Sequence, residues 1–224
     1  MKKLLIAILI TLGSFSLVSA DIGVNIGVSA SLGEYEATGS ETENAETSGK
    51  HKEKMLGGMG SYFIEKELTF LFGLLKRLSV GYDKVVHKIS TGTKDTSRTE
   101  SETSPGVNTT VNNKVSADID NIRTIYATLR ITDWLYLKTG SMKMDVSTTE
   151  SLDTGSAYPD TNLEGDMTGF GVVYEADNGM FLRAEYTDTD IDGKTLTSTT
   201  NADNTVTLDG VEGDQARISI GKAF

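Results

Sequence analysis

Asp188-Thr189-Asp190-Ile191-Asp192-Gly193 has the D-x-D-x-D-G spacing with which a calcium loop begins. Three carboxylates at alternate positions offer hard oxygen ligands, and the glycine permits the sharp turn that closes them on a cation. The twelfth position should then carry a bidentate Glu, but it is Thr199. Asp188, Asp190 and Asp192 are therefore an incomplete calcium set, and the plainer expectation is an acidic, solvated segment. His51 and His87 are the only histidines, and Lys50-His51-Lys52 has the character of a solvated segment. The chain has no cysteine, which removes thiol nucleophiles, thiolate-ligated metals and disulfides. No Ser-His-Asp grouping and no glycine-rich phosphate loop is present. Neither a cofactor nor catalysis is expected.

A second set of charges carries more information. Arg130, Glu175, Arg183, Glu185 and Arg217 each fall within an apolar-patterned segment. If those segments cross a membrane as strands, an Arg or Lys facing lipid at mid-depth costs roughly 2–4 kcal/mol. The five should turn inward and form a polar network in the lumen. Such a network can plug a narrow barrel, or it can gate a path for small solutes.

The elements that would position these residues are strands. Ile22, Val24, Ile26, Val28, Ala30 and Leu32 alternate with Gly23, Asn25, Gly27, Ser29, Ser31 and Gly33. A water-facing strand would carry Lys, Glu or Thr on its polar side. Gly and Ser suit a crowded interior, and the apolar side then meets lipid. The same period of two recurs at the other end, where Ala216, Ile218, Ile220 and Phe224 alternate with Arg217, Ser219, Gly221 and Ala223. Between them lie six more candidates, beginning near Met55, Leu78, Ile119, Trp134, Met167 and Met180. Two stretches resist the pattern. Leu68 to Leu75 does not alternate. In the fifth candidate, Leu135 and Leu137 favour one phase while Met142, Met144 and Val146 favour the other, a conflict that a bulge could reconcile.

The connections alternate in length. Thr132-Asp133 and Asp177-Asn178-Gly179 are tight, the latter because Asn and Gly tolerate positive φ. Four long polar tracts, at about 36–54, 90–118, 147–166 and 188–209, are rich in Ser, Thr, Asn, Asp, Glu and Gly. A compact soluble domain rarely carries four such tracts. A barrel with short periplasmic turns and long outer loops does. Lys2 and Lys3, the apolar run from Leu4 to Val18 and the small residues Val18-Ser19-Ala20 predict a cleaved signal peptide over 1–20. That run is about 15 residues, short of the roughly 20 a spanning helix needs. The formal charge is −11, and removal of Lys2 and Lys3 makes it more negative. A nucleic-acid partner, which needs a basic face, is excluded.

The cleavage site, the Asp177-Asn178-Gly179 hairpin and the closing Ile218-x-Ile220-x-x-x-Phe224 together resemble the small eight-stranded bacterial outer-membrane barrels, of which the OmpA transmembrane domain, OmpX and OmpW-type proteins are examples. The resemblance spans residues 21–224 as architecture. It implies an all-β, closed, antiparallel up-and-down transmembrane barrel of eight strands in the outer membrane. It also implies contact with outer-membrane lipid and lipopolysaccharide, and a last strand, ending at Phe224, that is read by the barrel-assembly machinery. Trp134, Tyr136 and Phe224 are expected as interface aromatics. The expected function is a structural or surface-interaction barrel without catalysis, whose outer loops face an unknown ligand. The alternative is a narrow porin-like channel, suggested by Gly23, Gly27 and Gly33 on the inner face of the first strand.

Overall fold

The structure is a computed structural model that describes residues 23–43, 46–68, 77–101, 108–152 and 156–224. The predicted signal peptide, and most of the non-alternating stretch from Leu68 to Leu75, lie outside the described residues.

Eight long strands form the body: β1 (Val24–Glu43), β2 (His51–Glu67), β3 (Leu78–Val85), β4 (Asn108–Arg130), β5 (Leu135–Leu152), β6 (Thr161–Glu175), β7 (Met180–Thr197) and β8 (Thr205–Ala223). Each pairs antiparallel with its neighbour in sequence. β8 then closes on β1, from Asn25↔Ala223 to Thr42↔Thr205. Closure leaves the barrel wall without an edge, which is the condition for crossing a bilayer with strands. Shorter strands extend the outer end: Glu46–Thr47 beside β1, and Ile89–Ser90 and Lys94–Ser101 beside the first half of β4.

Local chemistry explains the short turns. Gly179 has φ of +80°, which a side chain would strain. Its N–H donates to Ala176 O at 2.8 Å, and Asn178 Oδ1 accepts from the Met180 N–H at 3.0 Å. At the other tight turn Thr132 Oγ1 accepts from the backbone N–H groups of Trp134 and Leu135.

Strand pairing continues far into the four polar tracts. β1 runs to Glu43 and β2 starts at His51, so most of 36–54 is paired hairpin and not loop. The same holds for β7 and β8 across 188–209. Cross-strand polar pairs support these extensions in water. Lys52 Nζ donates to Glu36 at 2.6 Å and Lys54 Nζ to Glu34 at 2.8 Å. The Lys52 contact holds the Glu36 carboxyl below the usual range.

The two phases in β5 need no bulge in that strand. Tyr136, Lys138, Met142 and Met144 all lie on one inward face, while Leu137, Thr139, Ser141 and Lys143 face out. The irregularity sits on β4 instead. The register passes from Asp120↔Asp145 to Arg123↔Lys143, and Asn121 takes φ of +49°.

Candidate functional site: the filled lumen and the two faces of the wall

The middle of the lumen holds six buried charges. β7 presents Arg183 and Glu185 at alternate positions, and β8 presents Arg217. Their partners come from across the barrel. Arg183 Nη1 and Nη2 donate to Glu65 Oε2 and Oε1 on β2, both at 2.9 Å. Lys138 Nζ on β5 donates to Glu185 Oε1 at 2.9 Å. Arg217 Nη1 donates to Asp83 Oδ2 on β3 at 2.8 Å. Arg217 Nε also stands 3.9 Å from Glu185 Oε2, which joins two of the pairs. Three cations face three anions, so the layer is neutral.

Neutral polar groups complete the layer. Asn25 Nδ2 donates to Glu65 Oε1 at 3.0 Å, and Tyr126 Oη donates to Glu65 Oε2 at 3.3 Å. Ser61 Oγ donates to Asp83 Oδ2 at 2.9 Å. Lys138 Nζ lies 4.2 Å from the Tyr126 ring centroid. A buried charge left alone would be costly, and every charge here has an opposite partner within hydrogen-bond reach. Among the described residues, the buried atoms Tyr136 Oη, Arg183 Nε, Thr187 Oγ1 and Arg217 Nε lack a protein hydrogen-bond partner.

Toward the short-turn end an aromatic layer follows. Phe63, Tyr136, Val173 and Phe181 pack together, and the Arg183 guanidinium lies 4.5 Å from the Phe181 ring centroid. The rings occupy the space that glycines leave directly opposite them on the neighbouring strand. A Cβ at Gly27 would meet the Phe63 ring, at Gly81 the Tyr126 ring, at Gly171 the Tyr136 ring and at Gly221 the Phe181 ring. Gly33, like Gly213, faces the ring of Tyr35. Of the three glycines that suggested an open bore, Gly27 and Gly33 are seats for aromatic side chains, and Gly23 lies against Glu67 and Lys66 with φ of +63°.

The outer surface reverses polarity along each strand. On β7, Leu182 and Tyr186 face outward and exposed, then Asp188, Asp190 and Asp192 follow on that same face. Inward, the order is Arg183, Glu185, Thr187, Thr189 and then Ile191. β6 runs the other way, with Glu164 and Asp166 outward before Phe170, Val172 and Tyr174. Ile26, Leu32, Ile64, Val80, Ile125, Leu137 and Ile218 continue the exposed apolar band over the other strands. So large an apolar surface on a closed wall is lipid-facing. Beyond the band, water is outside and the interior turns apolar: Val85, Ile122, Met144, Leu163 and Ile191 form a core there.

The chain is a closed, eight-stranded transmembrane β-barrel.

No family model matches the chain, and no curated protein matches it. Among solved structures, the transmembrane barrel is similar to Neisserial surface protein A, with 9% identity, 90% of this chain and 97% of that chain covered, and a TM-score of 0.39. It is similar to the attachment invasion locus protein Ail of Yersinia pestis, with 13% identity, 88% and 98% coverage, and a TM-score of 0.38. It is also similar to the outer membrane protein OprG from Pseudomonas aeruginosa, with 9% identity, 91% and 97% coverage, and a TM-score of 0.47.

The barrel brings Arg183, Glu185 and Arg217 into the lumen and leaves Arg130 and Glu175 at its short-turn mouth. Arg130 Nη2 lies 3.6 Å from both Glu67 Oε1 and Glu175 Oε2, in partial contact with water. Glu65, Asp83 and Lys138, the three partners, escaped the sequence reasoning. Asp83 and Lys138 share the inward phase of Gly81 and Tyr136, a signal that was available for Asp83 and hidden for Lys138 by the mixed pattern of β5. Glu65 continues the inward phase of Ser61 and Phe63 on β2, just before the stretch that does not alternate.

One expectation about these side chains is corrected. Tyr136 is no interface aromatic: it is 3% exposed, because Leu135 and Leu137 take the lipid side and turn it inward. Trp134 is exposed at the short turn, and Phe224 is half-buried with Lys222 Nζ 5.6 Å from its ring centroid. Asp188, Asp190 and Asp192 lie on one extended strand, where alternate carboxylates point away from the wall in parallel and cannot converge as a loop's would. His87 Nε2 accepts from the Gly60 N–H at 3.0 Å, whereas His51 lies on β2 opposite Gly39. Among the described residues, no group of three or more His, Cys, Asp or Glu residues forms a metal-holding cluster.

Proposed function

We propose that the protein is a plugged, non-catalytic barrel that stiffens the outer membrane and carries an acidic, hydrogen-bonded outer extension to the cell surface. Residues 1–20 are its signal peptide and residues 21–224 its barrel. The observation that carries this reading is the pair of filled layers, one of ion pairs and one of aromatic rings, stacked across the lumen. Eight strands enclose an interior that side chains can fill, and here bulky and charged groups from opposing walls meet in it. The outer extension, with Asp166, Asp188, Asp190, Glu212 and Asp214 above the lipid band, faces the level of anionic lipopolysaccharide headgroups. Divalent cations are the natural bridge between the two.

The test is planar-bilayer recording on the refolded barrel. A plugged barrel gives no discrete current steps from a preparation shown to be folded. Reproducible steps overturn it.

A narrow channel is the second reading. Tyr136 Oη, Arg183 Nε, Thr187 Oγ1 and Arg217 Nε favour it, since buried donors without protein partners call for water. In the same recordings it predicts steps that change when Arg217 or Glu185 is neutralised.

A further inference from the structure

Above the lipid band the interior is not filled evenly. The core of Val85, Ile122, Met144, Leu163 and Ile191 packs part of the outer chamber. On the side of β1 and β8 a cavity of about 360 Å³ remains, open toward the outside. Its walls carry Ala37, Val146, Leu163, Leu196, Val206 and Leu208. An apolar cavity of about 150 Å³ takes one benzene ring, and small-molecule sites start near 300 Å³. The space therefore suits about two fused rings or a short branched chain.

Two further features bear on the occupant. The wall breaks register beside the cavity: Thr38 pairs with Gly210 and Gly39 with Leu208, which leaves Asp209 as a bulge. Bulges are enriched beside binding sites, where they re-aim the wall. The rim carries Glu41, Glu53, His51 and Lys194. Lys194 Nζ already donates to Asn162 O at 2.9 Å and to Asn162 Oδ1 at 3.1 Å. Glu53 is held by Lys94 at 2.9 Å, and Glu41 accepts from Tyr158 Oη at 2.9 Å. The rim thus offers carboxylates and no uncommitted lysine, which opposes an anionic ligand such as a fatty-acid carboxylate.

We infer that the outer chamber is a binding site for an uncharged, apolar small molecule of about two rings, taken from the cell exterior. Passage onward is blocked by the layer of Lys138, Glu185 and Arg217, so the site holds its ligand and does not conduct it. Binding in the chamber is independent of the surface role, whereas retention of the ligand rests on the plugged lumen proposed above. Capture at the chamber requires only that the outer extension be folded.

The test is methyl NMR of the refolded barrel in lipid nanodiscs, titrated with indole as an uncharged two-ring probe. The expected result is saturable shifts of the Val146, Leu163, Leu196, Val206 and Leu208 methyls. The lipid-facing Leu182 and Ile218 methyls should shift only in proportion to indole dissolved in the bilayer. Hexanoate, an apolar chain with a carboxylate, should bind about tenfold or more weakly. Leu196→Trp fills the space and should weaken indole by about tenfold or more, with folding checked by heat-dependent gel mobility. If Leu196→Trp does not fold, the wild-type comparison of chamber and lipid-facing methyls decides alone. Equal, non-saturating shifts in both sets overturn the site, as does saturation that folded Leu196→Trp leaves unchanged.

Discussion

Arg183 and Glu65, 118 residues apart in sequence, meet across the lumen through two parallel hydrogen bonds of 2.9 Å. Both are nearly fully buried, with side-chain exposures of 6% and 2%. The fork geometry fixes orientation as well as distance. It also ties β7 to β2 through the interior, independently of the wall.

Breaking that pair from one side should be worse than removing it. Glu65→Ala leaves the guanidinium buried without its partner, which costs about 3–5 kcal/mol. Glu65→Leu combined with Arg183→Leu should recover most of that loss. Urea unfolding in micelles, run as a double-mutant cycle, measures both. Additive losses would show that the two side chains act separately.

The aromatic seats should refuse even a methyl group. Gly171→Ala drives a Cβ into the Tyr136 ring and Gly81→Ala into the Tyr126 ring. Overpacking of this kind costs about 1–3 kcal/mol. Gly49, which has open space around it, should accept Ala within about 0.5 kcal/mol. Thermal unfolding of the three variants, compared side by side, gives the contrast.

The reversal of polarity on the outer face makes a positional prediction. Phe170→Arg places a charge in the lipid band and should cost about 2–4 kcal/mol. Glu164→Arg, on the same face of the same strand but in water, should cost less than about 1 kcal/mol. Refolding yield into vesicles and urea midpoints would separate them. Equal costs would place the membrane boundary elsewhere.

Acidic residues stand directly opposite one another on that outer extension: Asp188↔Asp214, Asp190↔Glu212 and Asp190↔Asp166. Like charges in register repel. Asp190→Asn should therefore stabilise the barrel by about 0.2–1 kcal/mol at low salt, with the gain shrinking as ionic strength rises. A denaturation series over salt concentration checks the sign and the trend.

Tyr158, outside the membrane, should titrate late. Burial, and after it the hydrogen bond to Glu41, pushes its hydroxyl up to about 12. The neutral form is the one the fold prefers. Its contribution is fully present below the ordinary tyrosine value near 10, and it is lost as pH rises through about 12. Carbon NMR of labelled tyrosine, with the resonance assigned by Tyr158→Phe, reads the midpoint. Glu41→Gln should lower it.

Alternation with period two, small residues on one side of the first strand, and the short-long rhythm of the connections are local properties, and they fixed the eight-stranded barrel before any contact was known. Charges embedded in lipid-patterned segments also identified Arg183, Glu185 and Arg217 as inward, since the bilayer leaves them nowhere else to go. Their partners are a different matter. Glu65, Asp83 and Lys138 reach the same layer because strand tilt and closure bring β2, β3 and β5 opposite β7 and β8, and no local pattern encodes that distance. The glycine seats depend on pairing register: Gly27 gives its space to Phe63, its direct partner on the neighbouring strand. Most of all, the change of solvent along each strand lay beyond local patterning. Leu137 outward and Met144 inward obey one rule, that apolar groups avoid water. The rule changes direction where the wall leaves the lipid, and only the folded barrel shows where that is.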